Sequence, residues 1–261
     1  MKSLDNWAGV LGRQTLASID RLMALCALIM RLIVIAMPMP RDGRALVRRV
    51  IVEQVYFTAV QALPVIIPVA LIIGSMMIIQ FSQLSGQIDL GKLVVVLVLR
   101  EIGPIITAIV VILRSATAVT IETSYMGVLG EIDALEMAGI DPMFTLCFPR
   151  LVGITSAIVS LVLVFDLMAI VGGYTIVKGL TMLPVEGFFQ QIAKGVTGSD
   201  IGVGALKGIF FGITITGTCL FHGLSRKKQI TQVPIATSRA AVGCFFYCLV
   251  INIFISFIFY I

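Results

Sequence analysis

Three stretches of this 261-residue chain, 54–88, 208–225 and 240–261, carry no formal charge. Each matches or exceeds the roughly 18 to 20 apolar residues that carry a helix across a bilayer. Only 13% of the residues are charged and 59% are hydrophobic, whereas a soluble domain carries about 25% charged residues. Such a chain cannot cover itself with polar surface. The expected class is an all-α polytopic membrane protein; a soluble enzyme and a nucleic-acid binder are excluded.

The 19 basic residues outnumber the 14 acidic ones, a net charge of +5. They flank the apolar spans, where anionic headgroups lie, so the excess points to lipid and not to nucleic acid. The five cysteines, Cys26, Cys147, Cys219, Cys244 and Cys248, sit mainly in apolar runs without a Cys-x-x-Cys pair. They read as small hydrophobes of a membrane core, with no disulfide framework or metal site.

Residues 7–36 are apolar apart from a few charges. Arg13, Asp20 and Arg31 fall within about 20 degrees of one line on a helix, the narrow polar stripe of an element lying in the interface. Pro38 and Pro40 end it. Arg41, Arg44 and Arg48 then share a face beside Arg49, as in an elbow helix gripping an anionic leaflet or in a solvated basic loop. Residues 1–61 are thus expected to form N-terminal interfacial and elbow helices, and 62–261 a five-helix membrane domain. The spans are expected at 62–84, 93–119, 151–177, 203–223 and 241–260.

Twelve basic residues, eight before the first span plus Arg226, Lys227, Lys228 and Arg239, fall on one side; only Lys92, Lys178 and Lys194 fall on the other. The positive-inside rule places the N-terminus in the cytoplasm and the C-terminus outside. A short amphipathic helix is expected at the outer interface over 183–199. Between spans two and three, 122–142 carries Glu122, Glu131, Asp133, Glu136 and Asp141 and no basic residue. Ile132 and Leu135 offer an apolar contact, and Gly139 and Pro142 end the helix. The segment reads either as a solvated loop helix or as a docking element for a basic cytoplasmic partner.

Arg100, Glu101, Arg114, Asp166 and Lys207 fall inside apolar surroundings. A charge at bilayer centre costs about 2.5 to 3.5 kcal/mol on insertion scales, so these side chains should face protein or a wet cavity. Arg100 and Glu101 are neighbours in sequence and cannot face one another on a helix. Pro104 lacks the N–H that would bond the Arg100 carbonyl, so Gly103-Pro104 should make the helix irregular. Arg100 and Arg114 should project from nearly the same side, with Arg114 snorkelling to the inner interface. These charges form either a polar patch that meets a headgroup or gates a cavity, or a salt-bridge network that fastens helices. Gly204, Gly208 and Gly212 recur every four residues, a spacing that lets helices pack closely.

The chain has no Gly-x-x-x-x-Gly-Lys-Ser/Thr loop, no Gly-x-Ser-x-Gly elbow and no His-Glu-x-x-His. Its only histidine is His222. It is therefore expected to be neither an ATPase nor an intramembrane hydrolase.

The run Leu99-Arg100-Glu101-Ile102-Gly103-Pro104 resembles the signature of the MlaE-type permeases, the membrane subunits of ABC-type phospholipid transporters. The likeness continues through Arg114, Glu122, Met126, Ile132-Asp133-Ala134-Leu135-Glu136, Gly139-Ile140-Asp141-Pro142 and Pro149-Arg150. Gly172-Gly173, Asp200, Lys207, Phe211-Gly212 and Ala236-Thr237 also fit. The chain departs from the pattern at Thr123-Ser124 and at Gly130-Glu131, positions that bear on which ATPase docks. The resemblance implies an interfacial helix, five spans and a coupling helix at about 122–142 carrying Glu122, Met126, Glu131, Asp133, Leu135, Glu136 and Asp141. It implies Arg100, Glu101, Lys207 and Arg239 as lipid-cavity residues. Implied partners are a cytoplasmic ABC ATPase that holds the ATP and Mg, a periplasmic MCE-domain protein, a STAS-domain protein, a second copy of the chain and phospholipid, in a bacterial inner membrane. The alternative is a stand-alone secondary transporter or ion pathway that uses the intramembrane charges.

Overall fold

A computed structural model of the chain describes residues 20, 23–32, 34, 44–83, 95–180, 198–225 and 229–260. Regular structure among them is entirely helical; hydrocarbon offers the backbone no hydrogen-bond partner, and a helix satisfies its own groups. Five stretches are long and apolar enough to cross a membrane: Val47–Gln80, Leu97–Val128, Met143–Gly179, Asp200–Leu224 and Ile230–Phe259. They are the five expected spans in order. A shorter apolar helix, α1 (Met23–Leu32), precedes them, with Leu25 and Leu32 buried and Asp20 and Arg31 exposed. Arg13, Pro38, Pro40, Arg41 and most of the expected outer helix, 183–197, lie outside the described residues.

The first span begins earlier than the expected 62. It comprises α2 (Arg44–Thr58), a tight turn at Val60–Ala62 and α3 (Leu63–Gln83). Pro64 has no N–H for the Val60 carbonyl, and Leu63 donates to it instead. The exchange shortens one turn from i→i+4 to i→i+3. Val47 of α2 is buried while Arg48 and Arg49 are exposed. The helix lies against the third span at Gly153, where a Cβ would come within 2.7 Å of Gln54.

Spans two and three are not continuous α-helices. Span two runs through a π segment (Val95–Ile102), α4 (Gly103–Val111), a second π segment (Ile112–Ala116) and α5 (Thr117–Val128). Gly103-Pro104 opens α4, where the missing proline N–H is harmless, so the expected irregularity is present. After α6 (Glu131–Met137), span three runs through a π segment (Met143–Cys147), α7 (Phe148–Leu167), another (Met168–Gly172) and α8 (Gly173–Leu180). Arg100 and Arg114, expected on one side, each lie in a π segment and meet different spans, Arg100 the fourth at Asp200 and Arg114 the first at Phe57 and Gln61.

The fourth span, α9 (Gly198–Leu224), is the centre of the bundle and packs on α7, α5 and α10 (Val233–Tyr260). Its apolar window is 67% buried, against 22% for the fifth span, which lies at the periphery. The glycine stripe of α9 makes this possible. A Cβ at Gly208 would stand 3.2 Å from Val159 Cα, and one at Gly212 only 2.5 Å from Thr155 Cα. Spans one and three cross as closely, since a Cβ at Gly74 would strike the Ala169 carbonyl. Cys147, Cys219, Cys244 and Cys248 are buried free thiols, as expected of small core hydrophobes, and Cys26 is exposed.

Gly212→Leu should lower the thermal unfolding midpoint in detergent, the overpacking costing about 1–3 kcal/mol. Gly202→Ala, at a position with nothing within 4 Å, should leave the midpoint unchanged or raise it.

Candidate functional site

At the end of the bundle away from α6, the π segment of span two delivers Arg100 and Glu101 to different neighbours. Arg100 Nη2 lies 2.7 Å from Asp200 Oδ1. Asp200 sits in the first turn of α9, where the helix dipole favours an acid. Glu101 turns to spans four and five. Its Oε1 accepts from Lys207 Nζ (3.2 Å) and Ser256 Oγ (2.6 Å), and its Oε2 accepts from Asn252 Nδ2 (2.7 Å).

Lys207 is fully buried. Besides Glu101, its ammonium donates to Ser256 Oγ at 2.7 Å and to the Arg100 carbonyl at 2.5 Å. That carbonyl is the one from which Pro104 withholds an N–H. The three protons of the ammonium thus have three acceptors on two other spans, the condition for tolerating a buried cation. Of the two readings of these charges, the structure displays the helix-fastening network. Arg100 keeps about a fifth of its side chain accessible.

Arg239 is not part of this cluster. It lies on α10, thirteen residues before Asn252, about 20 Å along the axis, toward the α6 end. There it is exposed and lines a cavity of about 480 Å³ with Leu25, Phe221, His222, Phe246 and Tyr247. Arg114 turns to span one. It donates to the Phe57 carbonyl at 2.6 Å and to Gln61 Oε1 at 2.5 Å, with its guanidinium 4.9 Å from the Phe57 ring centre. It ties span two to the turn of span one.

The acidic stretch 122–142 is divided. Glu122 and Met126 belong to α5, and the helix between the spans is only Glu131–Met137. Two glycines in the left-handed region bracket it, Gly130 at φ 75° and Gly139 at φ 76°, a conformation that costs a side chain energy. At the C-terminal end, Ile140 N–H bonds the Leu135 carbonyl and Gly139 N–H the Glu136 carbonyl, both at 3.0 Å, closing a Schellman turn. Asp141 Oδ1 accepts the Met143 N–H at 2.9 Å and fixes the entry to span three. Ile132 and Leu135 are half-buried, while Glu131, Asp133 and Glu136 are exposed.

Below α6, Arg150 clamps the two spans together. Its guanidinium bonds Thr123 Oγ1 at 2.7 Å and pairs with Glu122 at 2.8 Å. As a site residue it was missed, although a basic residue at the start of a span, beside Pro149, is a visible signal. No group of acids, histidines and cysteines among the described residues could hold a metal ion.

Five spans, a buried ion-pair layer and an acidic helix presented between spans two and three are the features of a transporter permease subunit. The sequence matches the family described as Permease MlaE over residues 51–258, and the chain belongs to that family. It is 28% identical over 197 residues to the intermembrane phospholipid transport system permease protein MlaE of Haemophilus influenzae, covering 74% of this chain and 76% of that one. It is 26% identical over 214 residues to a probable ABC transporter permease protein of Rickettsia conorii (80% and 83% covered). A probable ABC transporter permease protein of Synechocystis is 25% identical over 215 residues (80% and 81% covered). The chain is an ABC-type permease subunit, a multi-pass membrane protein that is not itself the ATPase.

Lys207→Met should strip Glu101 of its cation. Breaking a buried pair costs about 3–5 kcal/mol; Glu101 keeps 31% of its side chain accessible, which places the loss near the lower bound. The unfolding midpoint in detergent checks this, and Glu101→Gln added to Lys207→Met should recover part of it.

Proposed function

We propose that this chain is the permease of an ABC phospholipid transporter in a bacterial inner membrane, passing lipid between that membrane and a periplasmic MCE-domain protein. The observation that carries the proposal is the family match combined with α6: a short acidic helix, exposed and braced by two left-handed glycines, where an ATPase would dock. The phospholipid cargo is supported by the name of the Haemophilus relative.

In this reading two copies of the chain enclose a lipid cavity and bind two cytoplasmic ATPases, with a STAS-domain protein as an accessory. ATP and Mg belong to the ATPases; the permease contributes no hydrolytic residue. The N-terminus and α6 are cytoplasmic and the C-terminus periplasmic, so the Arg100–Lys207 layer lies in the outer half of the membrane. Arg100, with its accessible edge, meets headgroup phosphate, while Lys207 and Glu101 hold the wall behind it. The stand-alone transporter reading would leave the exposed acids of α6 without a use.

Purification in mild detergent with mass spectrometry of bound proteins and lipids tests the assignment; an ABC ATPase together with phospholipid is expected. Asp133→Lys combined with Glu136→Lys should reduce recovery of the ATPase severalfold while the permease still inserts, and unchanged recovery would refute the docking role. Arg100→Ala should abolish lipid transfer in proteoliposomes without preventing insertion. Transfer at the wild-type rate would remove Arg100 from the lipid route.

A further inference from the structure

Both cations described at the end opposite α6 have a carboxylate, the half-buried Arg100 with Asp200 and the buried Lys207 with Glu101. One carboxyl in this layer is left over. Asp166 of α7 is 8% exposed, and its Oδ1 is buried with no hydrogen-bond partner among the described residues. It occupies a slot between two glycines on neighbouring spans. A Cβ at Gly103 would strike Asp166 Oδ1, and one at Gly204 would stand 3.9 Å from Oδ2.

Gly103 lies three residues after Arg100, and Gly204 three before Lys207. The Asp166 carboxyl is therefore level with both ion pairs but joins neither. Among the described residues, the charged groups on the surrounding helices at this level are Arg100 and Glu101 from span two and Asp200 and Lys207 from span four. Span five adds the neutral Asn252 and Ser256, and span one is uncharged from 54 to 88. Among the described residues three carboxyls thus share two cations, and that set is neutral only if one carboxyl keeps its proton.

The slot selects Asp166 for that role. A buried carboxylate with neither a counter-ion nor a hydrogen bond is strongly disfavoured in hydrocarbon, whereas the neutral acid is not.

We propose that Asp166 is a proton-binding site within the membrane. The carboxyl is a neutral acid while spans two and four are closed over it. It loses its proton to water when Gly103 and Gly204 part, and binds one again as they close. This goes beyond the transport reading and does not rest on the identity of the cargo.

The test uses the intact protein in detergent and dicyclohexylcarbodiimide, an apolar reagent for protonated carboxyls. The acid O–H adds across a C=N bond of the reagent, and an acyl shift to nitrogen gives a stable N-acylurea with no atom lost. Peptide mapping should find one added carbodiimide on Asp166 at low pH and progressively less of it as the pH is raised. Asp166→Asn should abolish the adduct and keep the wild-type unfolding midpoint, because the amide replaces a neutral acid. Three results would overturn the proposal: no Asp166 adduct at the lower pH when the denatured chain is labelled there, a clear fall in midpoint for Asp166→Asn, or protection of Asp166 by sodium at fixed pH, which would assign the slot to a metal cation.

Discussion

The ammonium of Lys207 is the point at which three spans meet. It enters from α9, bonds the Arg100 carbonyl and Glu101 on span two, and bonds Ser256 on span five. A lysine can be buried so deeply only if every proton has an acceptor, and each acceptor imposes a requirement elsewhere. The carbonyl is offered because Pro104 follows four residues later. The carboxylate is aimed by a π segment. α9 approaches its neighbours closely because Gly208 and Gly212 present no side chain to span three.

The two ends of the bundle follow different rules. At the Lys207 end the charges are turned inward and neutralised. At the α6 end the acids of the connecting helix are turned outward, while Ile132 and Leu135 supply the apolar contact beneath. Span two runs between these ends. It begins at the ion-pair layer, is fastened to span one through Arg114 in its middle, and is clamped to span three through Glu122, Thr123 and Arg150 just before α6. A force applied to α6 thus acts on a helix that is tied at three levels, the last of them the lipid-facing Arg100 of the proposed transport route.

Much of this architecture is legible in the sequence because it depends on length and on residues with singular backbone properties. Uncharged runs reveal the spans, Gly103-Pro104 reveals the break, the Gly204-Gly208-Gly212 stripe reveals a close crossing, and Gly139 ends α6. The π segments are not legible, since no residue type marks an i→i+5 hydrogen bond. A constant 3.6-residue period therefore puts Arg100 and Arg114 on one side, whereas their partners lie on spans four and one. Arg239 is a different case: a basic residue in an apolar helix signals burial or an edge, but not which end of the bundle it occupies. Arg150 and the isolation of Asp166 are tertiary facts, set by partners 27 and 63 residues away, Thr123 and Gly103.

The π segments also change what an insertion or deletion means in this protein. A π turn holds one more residue than the α-helix around it, so spans two and three each consist of stretches in separate registers joined by adjustable seams. Removing a residue from Val95–Ile102 would let the seam relax into ordinary helix while α4 kept its packing. With Ile102 as the residue removed, Arg100 and Glu101 on its N-terminal side would then rotate by about 100°. Such a chain would keep its hydropathy, its span count and all its charged residues, yet its polar layer would face elsewhere. In this bundle the identity of a site residue is defined by its distance from a seam as much as by its side chain.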